Sequence, residues 1–173
     1  MFLQKATNKW SCLVDSFAMA IDQPASRLIE VIGHDGSRRC YKDESFRQGF
    51  HIQECIECCL IAGFACTEIQ GYYGSTPFFG STEIVSVYTL DACELRFEHW
   101  LRITSRGVLT GTVQRSVGTQ VGHAVAWDGK MIYDPRGHIY AFEDSAEHNF
   151  RPQTLWMLTK MEPEYAQKIL EGR

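Results

Sequence analysis

A thiol can attack a carbonyl, an imidazole can carry the thiol's proton, and a carboxylate can hold the imidazole. The sequence of 173 residues places all three residue types where short-range rules bring them together. Two apolar runs flank Asp128-Gly129 in the segment Val121-Gly-His-Ala-Val-Ala-Trp-Asp-Gly-Lys-Met-Ile-Tyr-Asp134, and Asp-Gly between such runs is the strongest short hairpin signal. If those two residues form the loop, Trp127 faces Lys130 and every opposed pair of residue numbers sums to 257. His123 then faces Asp134. Opposed residues carry Cβ atoms roughly 4.5–5.5 Å apart on one face, within reach of a carboxylate for an imidazole N–H. Such a dyad fixes the ring's tautomer and stabilises imidazolium when it forms.

The nucleophile predicted by the same logic is Cys12. It falls at the first turn of a periodic segment, where unpaired backbone N–H groups and the positive end of the helix dipole favour thiolate. A neighbouring His123 would form a thiolate–imidazolium pair, and the same N–H groups would meet a developing oxyanion. Gln4, eight residues upstream in a polar segment, offers a side-chain amide as a second oxyanion donor, without a spacing argument of its own.

Gln4-x-x-x-Asn8-x-x-x-Cys12 opening a helix, followed late in the chain by Gly122-His123-Ala124-Val125 and Tyr133-Asp134-Pro135, resembles the papain-like cysteine peptidases, closest to the bacteriocin-processing (C39-like) branch. The resemblance spans nearly the whole chain in order and rests on three short motifs. It implies a thiol protease with Cys12 as nucleophile, His123 as general base and acid, Asp134 as the residue orienting it and Gln4 in the oxyanion hole. The chain departs from the family at two points. Leu13 follows Cys12 where the family usually has Gly, and Gln4 stands eight residues before the cysteine where about six is usual.

Around these residues the periodicity predicts helices first and a sheet afterwards. Residues 11–22 form a first helix with Ser11 as its cap, residues 25–32 a second after Pro24, residues 50–62 a third closed by Gly63, and residues 91–104 a fourth capped by Asp91. Strands are expected over 64–69, 84–87, 107–113, 121–127, 130–134, 138–142 and 154–159, with a short terminal helix over 163–172. The fold class that follows is α+β, one domain over residues 1–173, with the nucleophile helix packed on a mainly antiparallel sheet; the resemblance makes it papain-like. The aromatic, turn-rich run 71–82, with Tyr72, Tyr73, Phe78 and Phe79, reads as a candidate substrate wall, and Trp10 and Trp127 as groove or core aromatics.

Cys55, Cys58 and Cys59, with His51 one turn earlier, invite a zinc reading, but no second Cys/His pair of matching spacing completes the set and buried apolar thiols explain Cys55 and Cys59 more simply. Catalysis by Cys12 and His123 needs no cofactor. Seven cysteines, an odd number, cannot all close into disulfides, and the start lacks a basic region followed by an apolar core, so reduced thiols in a cytoplasmic protein are expected. A net charge of −4 without a run of five like charges gives no footprint for a nucleic acid backbone, and no apolar stretch reaches the ~20 residues of a membrane span. The expected partner is a peptide or protein substrate. Three functional classes share this site: a hydrolase cleaving a peptide or isopeptide bond, an acyltransferase, transglutaminase-like or deamidase enzyme with the same thioester, and an inactive binding module.

Overall fold

The computed structural model describes residues 1–37, 48–70, 90–116 and 119–164, and of residues 90–96 and 115–116 the backbone alone. Helix α1 spans Cys12–Ala20, α2 Ala25–Ile32, α3 Ile52–Ile61 and α4 Leu90–Ile103. The strands are β1 (Phe64–Gln70), β2 (Gly107–Ser116), β3 (Thr119–Trp127), β4 (Met131–Asp134), β5 (His138–Ala141) and β6 (Phe150–Lys160), with a 3₁₀ turn over Phe142–Ala146. The strands pair antiparallel in the order β1-β6-β2-β3-β4-β5. The architecture is therefore mixed α+β, with α1–α3 ahead of the sheet and, contrary to the expected order of all helices first, α4 between β1 and β2. The expected strand over 84–87, the loop 71–82 with its aromatics, Cys40, the side chains of Asp91 and Cys93, and most of the tail lie outside the described residues.

Both faces of the sheet are covered, which explains why β3 is buried without interruption over residues 123–127 instead of alternating. On one face Val14, Phe17 and Ala18 of α1, Leu28 of α2 and Cys55 and Cys59 of α3 meet Val108, Ala124, Ala126 and Leu158. On the other, Phe97 and Leu101 of α4 meet Leu109, Val125, Trp127, Ile132 and Leu155. The short side chains of Ala124 and Ala126 form the floor under α1, so the helix that carries Cys12 lies on the strand that carries His123. From Val14 to Ala20 every residue of α1 is buried, as befits a helix with sheet on one side and α2 and α3 on the other.

The ends of α1 are fixed from outside the helix. At its C-terminus, where the last turn holds no cation of its own, Arg106 donates from Nη1 to the Ala20 carbonyl at 2.7 Å and to Asp22 Oδ2 at 2.6 Å. At its N-terminus Ser11 makes no side-chain cap, contrary to the sequence expectation. Its hydroxyl is used on Asp15 instead, at 2.6 Å, and accepts from the Asn8 N–H at 3.1 Å. Pro24, extended at φ −69° and ψ 142°, separates α1 from α2, and Gly33 closes α2 in the left-handed region at φ 85°. Among the described residues no helix is long and apolar enough to cross a membrane.

Candidate active site

The β3–β4 hairpin builds half of the site, in a register that differs from the one computed above. Ala126 pairs with Tyr133 and Trp127 with Ile132, so opposed numbers sum to 259, not 257. The turn is displaced by one residue: the Asp128 N–H donates to the Met131 carbonyl at 3.3 Å, leaving Gly129 and Lys130 at the tip, and the Asp128 carboxylate accepts the Lys130 and Met131 N–H groups at 2.9 and 2.8 Å. A slip of two residues keeps every side chain on its face, whereas a slip of one would have reversed them. His123 and Asp134 thus remain on the same face as diagonal neighbours, and His123 Nε2 lies 3.0 Å from Asp134 Oδ1.

Both groups are buried, His123 at 9% and Asp134 at 0% exposure. Burial opposes ionisation of Asp134, yet the hydrogen bonds from His123 and Arg136 prevail and hold its carboxyl far below the usual range. Burial likewise opposes a charged His123, but the hydrogen bond with Asp134 and the neighbouring Cys12 thiol outweigh it, and the imidazole pKa is raised. With Nε2 engaged by Asp134, Nδ1 is the ring nitrogen left for the Cys12 thiol. The His123 and Phe150 rings meet edge to face, centroids 5.7 Å apart. Gly111 pairs with His123 on β2, and a Cβ there would lie 2.0 Å from the Arg151 carbonyl, so only glycine lets β6 approach at this point.

Cys12 is the first residue of α1, half-buried, and a free thiol. Its first-turn N–H groups have no acceptor within the helix, a general property of helix starts that favours anionic groups. The other described thiols are different. Cys55, Cys58 and Cys59 are buried in the core between α1, α2 and α3. Burial pushes the Cys55 and Cys59 thiols up, and Cys66 to about 11. Cys58 Sγ points to the Leu28 carbonyl at 3.8 Å. Among the described residues no three His, Cys, Asp or Glu side chains gather as a metal ion would require.

Cys12, His123 and Asp134 are brought together; Gln4 is not. Its Nε2 donates to the Gln23 carbonyl at 2.7 Å and its Oε1 accepts the Ala25 N–H at 2.9 Å. Both bonds tie it to the α1–α2 junction, at the opposite end of α1 from Cys12, and both ends of the amide are occupied. The oxyanion role expected for Gln4 is therefore corrected, and the physical reason is that the turn after α1 has its own unpaired backbone groups to satisfy. Trp10 donates its indole N–H to the Asp35 carbonyl at 3.0 Å and meets Gly36, close to the start of α1. Trp127 lies on the other face of the sheet, donating to the Thr104 carbonyl at 3.0 Å and packed on Phe142. There it lines a cavity of about 760 Å³ with Leu101, Phe142 and Phe150, a cavity that none of Cys12, His123 and Asp134 touches.

The sequence reading missed Arg136 and Tyr140. Arg136 donates to Asp134 Oδ2 from Nε at 2.9 Å and from Nη2 at 2.6 Å, and its backbone N–H reaches Oδ1 at 2.8 Å. The Tyr140 hydroxyl stands 3.4 Å from Oδ2. A signal for the arginine was present. Asp134-Pro-Arg-Gly137 has Asp, Pro and Gly at the positions a tight turn prefers, which folds the third residue back over the first. The turn closes with the Gly137 N–H on the Asp134 carbonyl at 2.8 Å and Gly137 at φ 99°. No family model matches the chain, and no curated protein matches it.

Proposed function

We propose that the chain is a papain-like thiol hydrolase that cleaves a peptide or isopeptide bond through an acyl-thioester on Cys12. The observation that carries this reading is one imidazole, His123, hydrogen-bonded to a buried, ionised carboxylate and neighbouring a half-buried thiol at a helix start. His123 takes the Cys12 proton, and the thiolate attacks the substrate carbonyl carbon. Imidazolium then returns that proton to the leaving nitrogen as the C–N bond breaks. In the second half-reaction His123 accepts a proton from water, which attacks the thioester and releases the acid and Cys12. First-turn backbone N–H groups of α1 are the donors for the oxyanion, since Gln4 is committed elsewhere.

The test is turnover of unfolded proteins and isopeptide-linked conjugates in ¹⁸O-labelled water, with Cys12→Ala as control. Cys12-dependent release of an ¹⁸O-labelled carboxylate is the expected result. Incorporation of an added amine in place of water would make the enzyme a transferase. No Cys12-dependent product together with an unreactive Cys12 would overturn the enzyme reading in favour of a binding module.

A further inference from the structure

The Asp134 carboxylate serves more donors than His123. Oδ1 receives the imidazole and the Arg136 N–H, while Oδ2 receives Nε and Nη2 of the Arg136 guanidinium and faces the Tyr140 hydroxyl. A carboxylate that gave its whole charge to His123 would hold imidazolium so firmly that the proton would be slow to leave for the substrate nitrogen. We propose that Arg136 is a positioning residue that shares the Asp134 charge, so that Asp134 orients His123 as a nearly neutral acceptor and imidazolium can release its proton to the leaving group. The proposal rests on the hydrolase reading above and adds a residue to it.

The surroundings suit this role. Among the described residues, the charged and titratable groups that act on the ring are Cys12 from α1 and Asp134 from β4, while β6 contributes the uncharged Phe150. Behind Asp134 stand Arg136 and Tyr140, and behind them His148, whose ring stacks on Tyr140 at 3.8 Å. Arg136 Nη2 also donates to the His148 carbonyl at 3.1 Å, which keeps the guanidinium in place on the carboxylate. Its side chain is 38% exposed, so replacement leaves no large void.

The experiment follows the His123 ring by NMR across pH in the full chain, for the unaltered protein, Arg136→Met and Arg136→Lys, alongside the pH profile of Cys12 alkylation. Loss of the guanidinium charge is expected to raise the His123 midpoint by about half a unit or more, and to carry the alkaline limb of the Cys12 profile up with it. Arg136→Lys, which keeps the charge, is expected to restore both towards the unaltered protein. A midpoint that stays or falls in a folded Arg136→Met chain, or a lysine that restores nothing, would overturn the proposal; a purely structural arginine predicts those results. If Arg136→Met does not fold, Arg136→Gln is read by the same criteria. Cys12 labelling that ignores His123 in the unaltered chain would instead remove the hydrolase reading itself.

Discussion

Two carboxylates are completely buried near the start of α1, and they ionise in opposite senses. Asp134 sits against a guanidinium, an imidazole and a backbone N–H, and stays charged far below the usual range. Asp15, one turn into α1, meets neutral donors: the Ser11 hydroxyl at 2.6 Å, the Thr7 hydroxyl at 3.5 Å and the Thr7 backbone. Burial prevails there and pushes its carboxyl up to about 6. The difference teaches that burial isolates a carboxylate but its partner's charge decides its state. It also separates two tasks. Asp134 serves the imidazole electrostatically, while Asp15 holds residues 7–11 against α1 and so keeps Cys12 at the helix start.

The largest expected effect comes from breaking the charged side. Asp134→Ala strands Arg136 and frees His123, and is expected to cost about 3 kcal/mol in urea unfolding, with Cys12 alkylation slowed at least about tenfold at neutral pH. Asp15→Asn sharpens the contrast. Because Asp15 has a raised pKa in the folded state, its contribution is full below pH ~4, where the unfolded chain also holds the proton, and is lost as pH rises through about 6. The variant escapes that loss, so relative to the unaltered chain it is expected to gain on the order of 2 kcal/mol between pH 4 and pH 7 in parallel unfolding titrations. Asp134 has the opposite sign, its contribution being present above the ordinary carboxylate pKa and lost as pH falls further. The smallest effect is expected from Tyr140→Phe, because a 3.4 Å contact to an already satisfied oxygen is weak. A stability change of about 0.5 kcal/mol and an unmoved His123 midpoint are the outcomes to check by urea unfolding and NMR.

How legible the site was in the sequence can be judged residue by residue. Helical periodicity and the Pro24 and Gly33 punctuation place α2 at the residues predicted, and the pairing of His123 with Asp134 survives a wrong register because the slip is by two. That slip traces to the Asp128 side chain, whose bonds to the Lys130 and Met131 N–H groups hold the turn one residue further along than its Asp-Gly dipeptide suggests. Gln4 could not be placed because its partners, Gln23 and Ala25, are backbone groups far along the chain with no residue-type signature. Asp15 was invisible for a related reason: a single carboxylate in an apolar stripe reads as solvent-facing unless the loop that covers it is known. Arg136 was readable from the Asp-Pro-Arg-Gly turn, but only by asking where the third residue's side chain must return.

The central claim is that Cys12 is activated by His123. Brief, substoichiometric iodoacetamide near pH 6.5, followed by mass spectrometry of the intact and digested chain, tests it most directly, with His123→Ala as comparison. Selective labelling of Cys12 that collapses in His123→Ala is the predicted result. Uniform slow labelling of several cysteines, or Cys12 labelling that persists unchanged without His123, would contradict the account.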